Sequence, residues 1–184
     1  MEVDGTSDKT EPGEKDGAFD PRWMVARFVV LFLVIVGVFL VIYQQMRDGR
    51  AVEAFIRLTA SSTALFLDVL PWSAVESHHD VYIAYRGFRV EVIPECGGIE
   101  AMSIYFAALI AFPSRWPKKL IGIVAGIPLI FATNILRLAC LCVLGAWNVE
   151  AFEFVHLYVW QAIFIAFVVV LWLIWVDWIA GNEK

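Results

Sequence analysis

Polar and apolar positions alternate along this chain in blocks rather than residue by residue. Four long apolar stretches stand between shorter polar ones. The first, about Ala26 to Met46, contains FVVLFLVIVGVFLVIY without a single charge. About 20 such residues at the helical rise cross a bilayer's hydrocarbon. The second runs from about Gly98 to Phe112 and is short. The third, Leu120 to Trp147, is too short for two spans and long for one, so it reads as one helix projecting past the bilayer, with a bend at Pro128. The fourth runs from about His156 to Val176, with Trp172, Trp175 and Trp178 placed as an interfacial belt.

The segment Arg50 to Leu70 has enough apolar residues to pass for a span, but its charges argue otherwise. At 100° per residue Glu53, Arg57, Ser61 and Asp68 fall on one narrow face, opposite Val52, Phe55, Thr59, Phe66 and Leu70. Charges inside a lipid-facing span each cost a few kcal/mol. The pattern therefore predicts an amphipathic helix lying at the interface and ended by Pro71. Next, Val81–Tyr85 and Phe88–Ile93 read as two strands joined at Arg86-Gly87. Phe88, Val90 and Val92 alternate with Arg89 and Glu91, the mark of a hairpin with one apolar face. A lone hairpin is marginal in water, so it should rest on the helices.

The predicted fold class is thus an all-α integral membrane protein. It has about four transmembrane helices (26–46, 98–112, 120–147 and 156–176), an interfacial helix and a small β-hairpin in an extracytoplasmic insert, 47–97. Residues 1–21 form a polar tail ahead of a membrane domain, 22–180. Residues 1–20 carry seven acids and two bases, which predicts cytoplasmic disorder rather than a signal peptide. The short loop Ser114–Lys119 has three basic residues and no acid, which places it in the cytoplasm. Both termini then share that side, and 47–97 and 148–155 face outward.

Composition narrows the picture further. At 60% hydrophobic and 18% charged, a domain of this size has more apolar side chain than a water-soluble core can bury. The net charge of −5 argues against nucleic acid as a partner. Cys96, Cys140 and Cys142 are too few for a disulfide framework. Cys140 and Cys142 read as small apolar residues packed in a helix. His78 and His79 read as solvated, and no metal site or cofactor is expected.

Three chemically capable side chains converge under this topology. Cys96 stands at the outer end of the second span. Arg137 lies about 17 residues into the third, roughly 26 Å along it. His156 opens the fourth. Cys96 precedes Gly97-Gly98 and a helix start, where free N–H groups favour a thiolate, and the glycines allow another backbone to approach. His156 is suited to take the thiol proton and return it to a leaving amine. Arg137 keeps its charge and can hold an oxyanion or carboxylate, with Asn134 on the same face. Each has a plainer reading: a structural thiol, an interfacial imidazole, a snorkelling guanidinium.

The segments VEVIPECGGIEAM, AFPSRWPKKLIGIVAGIPLIFATNILRL and FEFVHLYVWQ resemble the exosortase/archaeosortase family, most closely its compact exosortase H subgroup. The resemblance implies a catalytic Cys, Arg and His at Cys96, Arg137 and His156, with Asn134 as the Asn of an N-x-x-R segment. Glu95, Gly97 and Gly98 are implied as supporting or substrate-binding residues. It further implies a multi-pass cysteine peptidase/transpeptidase of the bacterial inner membrane. Its substrates would be exported proteins bearing a C-terminal motif, a transmembrane helix and a basic tail. They would be cleaved at the periplasmic face through a thioester and passed to an acceptor nucleophile, with membrane lipids as surroundings. The alternatives are a non-enzymatic membrane scaffold or assembly factor, and a thiol redox protein using Cys96 with Cys140 or Cys142.

Overall fold

A computed structural model describes residues 21–69 and 82–181. The acidic tail 1–20, the expected stop at Leu70-Pro71, and His78 and His79 lie outside the described residues. The chain runs α1 (Pro21–Met46), α2 (Arg50–Asp68), β1 (Tyr82–Tyr85), β2 (Phe88–Glu91), a 3-10 turn (Pro94–Gly97), α3 (Ile99–Ala111) and α4 (Trp116–Trp147). It continues through α5 (Val149–Phe154) and a π turn (Val155–Val159) into α6 (Trp160–Gly181).

Three helical runs are long and apolar enough to cross a membrane: Arg22–Met46, Trp116–Trp147 and Val149–Ile179. The apolar helix α3 is shorter, 13 residues or about 20 Å. No residue in the most apolar window of α1 is buried within the protein, and this helix rests on α3. Its surface is left for lipid.

The amphipathic helix forms as its charges predict, with Arg57 donating to Glu53 at 2.7 Å one turn back. Its buried face is rotated from the one expected. Val52, Ile56, Thr59, Ala60, Thr63 and Leu67 are buried, while Phe66 is 44% exposed. Packing against α4 explains the rotation. Small residues let two backbones approach closely, so the Thr59–Ala60–Thr63 strip turns inward and the large Leu65 and Phe66 turn out. Thr59 and Thr63 satisfy their hydroxyls on the Phe55 and Thr59 carbonyls of their own helix.

The hairpin is antiparallel, with Ile83 opposite Val90 and Tyr85 opposite Phe88. Arg86 and Gly87 both take positive φ, 51° and 85°. That is the type I′ turn whose twist suits two strands joined by two residues. Ile83, Tyr85, Val90 and Val92 are buried, and the hairpin rests on α2 and α4, as its single apolar face requires.

Two apolar cores result. The first joins α2, the hairpin, the Cys96 turn and the later part of α4 through Leu67, Ile83, Tyr85, Leu138 and Cys142, among others. The second joins α3, α4 and α6 through Tyr105, Leu109, Ile130, Phe164 and Trp175. Gly126 presents bare backbone to the Tyr105 ring, so Tyr105 lies flat on α4 and its hydroxyl donates to Gly122 O at 3.2 Å.

The basic loop and the tryptophan belt differ from expectation. Pro117, in the first turn of α4, starts the helix early at Trp116, because proline's fixed φ suits that position. Lys119 is 8% exposed. It donates to Ile110 O at 2.6 Å at the end of α3, so it caps one helix from within the first turn of the next instead of sitting in the expected loop. Trp175 is buried and donates to Lys118 O at 3.1 Å. Trp172 stacks on Phe28 and meets Phe112 edge-on. These two rings tie helices together, leaving Trp178 as the exposed one of the three.

Candidate active site

Cys96 is carried by a turn that the sequence specifies closely. Ile93 is extended and Pro94 opens the 3-10 turn. The Cys96 N–H then donates to Ile93 O at 2.8 Å. Gly98 closes the turn at φ 77°, a conformation that disfavours residues with a Cβ. An added Cβ there would also lie 3.0 Å from Asn134 Cγ. The space serves a contact: Asn134, fully buried, donates from Nδ2 to Cys96 O at 2.9 Å. A side chain of α4 thus holds the backbone of the cysteine turn. Gly97 is buried near Phe55 of α2.

One turn further along α4, Arg137 lies with its guanidinium 5.6 Å from the centre of the Phe164 ring, a cation–π seat supplied by α6. Its Nε is buried and makes no hydrogen bond among the described residues. The same holds for Asn134 Oδ1 and His156 Nδ1. Buried polar atoms are nearly always paired; among the described residues Tyr43 Oη, Ser114 Oγ and Trp172 Nε1 are unpaired elsewhere, and these three fall on residues around the cysteine turn.

His156 does not open the last helix. The helical run begins at Val149, and His156 sits in the π turn inside it. Its ring stacks on Phe152, centroids 5.5 Å apart and planes 13° apart. Phe152 in turn meets Phe88 of the hairpin edge-on at 5.3 Å. The imidazole is thereby held from one side by an aromatic chain reaching back to β2.

Cys96 and His156 line one cavity of about 210 Å³, with Phe88–Glu91, Ile93, Leu138, Leu141 and Phe152 as its other walls. Arg137 is not part of that wall, but its charge acts on both Cys96 and His156. Burial pushes the Cys96 thiol above its ordinary value, Arg137 and the Ile93 backbone pull it back, and Glu95 pushes it up. Burial is the largest of these influences and opposes ionisation of the sulfur.

Glu95 is partly exposed and pairs with Arg47 at the end of α1. Arg47 was not foreseen, because nothing local links two residues so far apart in the chain. Phe152, four residues before His156, was visible as a helical neighbour. All three cysteines are free: Cys142 is buried in the first core and Cys140 is exposed. Among the described residues no three His, Cys, Asp or Glu side chains gather as a metal site.

The arrangement brings a sulfur and an imidazole to one small cavity, with a cation close enough to act on both. No curated protein and no solved structure matches the chain. The family described as Transmembrane exosortase (Exosortase_EpsH) matches it over residues 20–176. That match takes in every helix but the last few residues of α6, together with the hairpin and the cysteine turn, and the chain belongs to the transmembrane exosortase family.

Proposed function

We propose that this protein is a membrane-embedded cysteine transpeptidase that removes C-terminal sorting signals from exported proteins, with Cys96, Arg137 and His156 as its catalytic residues. The observation that carries this reading is the shared cavity. Cys96 and His156 face it together, and Arg137 keeps a buried Nε unpaired beside them.

In the proposed reaction the Cys96 sulfur attacks the scissile carbonyl carbon as His156 takes the thiol proton. Arg137 holds the oxyanion of the tetrahedral intermediate, where a fixed cation in a low-dielectric site acts strongly. The C–N bond then breaks, the leaving amine takes the proton from His156, and a thioester remains on Cys96. An acceptor amine or hydroxyl, or water, attacks the thioester and restores the thiol. Asn134 supports the nucleophile through the Cys96 carbonyl, and Gly97 and Gly98 keep that turn narrow enough for a substrate backbone to approach.

The site is assigned to the periplasmic side of the bacterial inner membrane, with both termini cytoplasmic. The substrate helix enters from the bilayer and its basic tail stays inside. β2 lines the cavity, so the extended motif is proposed to add to the hairpin as a further strand. Mass spectrometry of protein quenched during turnover should find a substrate fragment in thioester linkage to Cys96. Labelling that reaches Cys96 only from the cytoplasmic side would sink the assignment.

A further inference from the structure

The end of α1 touches the cysteine turn through one ion pair, between Arg47 and Glu95. Glu95 directly precedes Cys96, and its carboxylate opposes ionisation of the sulfur. Arg47 sits where it can cancel that charge. It also joins α1, which otherwise rests on α3, to the turn that carries the nucleophile. Both side chains are about two-fifths exposed, so the pair contributes little to folding as such. That makes an effect on the neighbouring thiol separable from an effect on stability.

We propose that Arg47 is a positioning residue for Cys96, fixing the cysteine turn against the end of α1 and neutralising Glu95 beside the sulfur. The inference rests on reading Cys96 as the nucleophile. The other charged and titratable groups around the turn are Tyr43 on α1, Glu100 on α3, Arg137 on α4, His156 in the π turn, and Arg89 and Glu91 on β2. On α2, Glu53 and Arg57 pair with each other. Among the described residues, Arg47 is the cation paired with Glu95. Tyr43, whose buried hydroxyl has no partner among the described residues, lies within the reach of Glu95, Glu100 and Arg47, so the same pair also shapes the field on α1.

The test is the rate of Cys96 alkylation by iodoacetamide in the full-length protein in lipid nanodiscs. It would be followed from about pH 6 to pH 10 and read by mass spectrometry on the Cys96 peptide alone. Arg47→Gln leaves Glu95 uncompensated and should slow alkylation about threefold below the midpoint. Glu95→Gln leaves Arg47 uncompensated and should speed it by about the same factor. The double variant should return to within about twofold of the wild type, and Arg47→Lys should keep most of the wild-type rate. The inference is overturned if both single variants move the rate in one direction, if neither moves it, or if the double variant fails to return. Loss of the nucleophile reading would show elsewhere, as a Cys96→Ala protein that still cleaves substrate, with these alkylation profiles unaltered.

Discussion

Two cations stand on the same helix, α4, one buried and one half-buried, and are treated in opposite ways. Lys119, near its start, donates to the Ile110 carbonyl at 2.6 Å and lies over the Trp116 ring. Arg137, five turns later, rests on the Phe164 ring and keeps its Nε unpaired among the described residues. Around Lys119 the Trp175 indole and Tyr105 hydroxyl find backbone carbonyls. Among the described residues, unpaired buried atoms occur towards both ends, Ser114 Oγ and Trp172 Nε1 near the first and Asn134 Oδ1 and His156 Nδ1 around Arg137, so the difference lies in the cations themselves. The first cation fastens α3 to α4. The second keeps one buried donor unpaired among the described residues. A buried donor without a partner is costly, which fits the role proposed for Arg137.

The sharpest way to break this comparison is through the sulfur. Cys96→Ala is nearly isosteric and should fold and express normally with complete loss of substrate cleavage. Cleavage that survives would remove any reason for Arg137 to be left unpaired. Arg137→Gln should lower the cleavage rate about 10²–10³-fold, while Arg137→Lys tests whether the planar fork matters beyond charge. His156→Ala should bind substrate and form no thioester. Lys119→Met should show the mirror image. The loss would be about 1–3 kcal/mol of stability, from the exposed end of α3, read as an earlier thermal transition in detergent with cleavage by the remaining folded protein unchanged. If Lys119→Met abolished cleavage in folded protein, the two cations would not differ as described.

Gly98→Ala tests the link between fold and site. The left-handed backbone alone makes it cost about 1–2 kcal/mol, and the methyl displaces Asn134 from the Cys96 carbonyl. Cleavage should fall further than Asn134→Ala alone would cause.

The smallest expected effect is on pH dependence. Burial favours the neutral form of Cys96, so its thiol ionises at higher pH folded than unfolded. Stability from this group is full below the ordinary thiol range and is lost as pH climbs through the raised value. Chemical denaturation of wild type and Cys96→Ala at increasing alkaline pH should show the wild type losing more.

Much of this was readable from residue order. The charge-free run of α1 and the Arg86-Gly87 turn with its alternating flanks fixed their elements, because one hydrophobic period and two positive-φ positions leave few options. The convergence of Cys96 with His156 was expected from topology. The facing surface of α2 was not, since charges say which side is wet but not which of the remaining strips meets a neighbour. The Thr59–Ala60–Thr63 strip was chosen by how closely α4 can approach. Lys119 was read as part of a short basic loop because hydropathy is blind to a lysine that finds a carbonyl, although Pro117 carried the signal that a helix had already begun. The Arg47–Glu95 pair was invisible for a different reason. It depends on where the end of one helix lands beside a turn nearly fifty residues on.

The π turn beneath His156 has one more implication. A π turn holds one residue beyond the α-helical count, so the residues before it on that helix are offset by about 100° from the residues after it. Removing Leu157 alone should restore an ordinary helix and swing the imidazole off the cavity, while the Trp172 and Trp175 anchors at the far end stay put. A single-residue indel would then act as a rotary selector. A change of register there would redirect the imidazole without altering Cys96, Arg137 or His156 themselves.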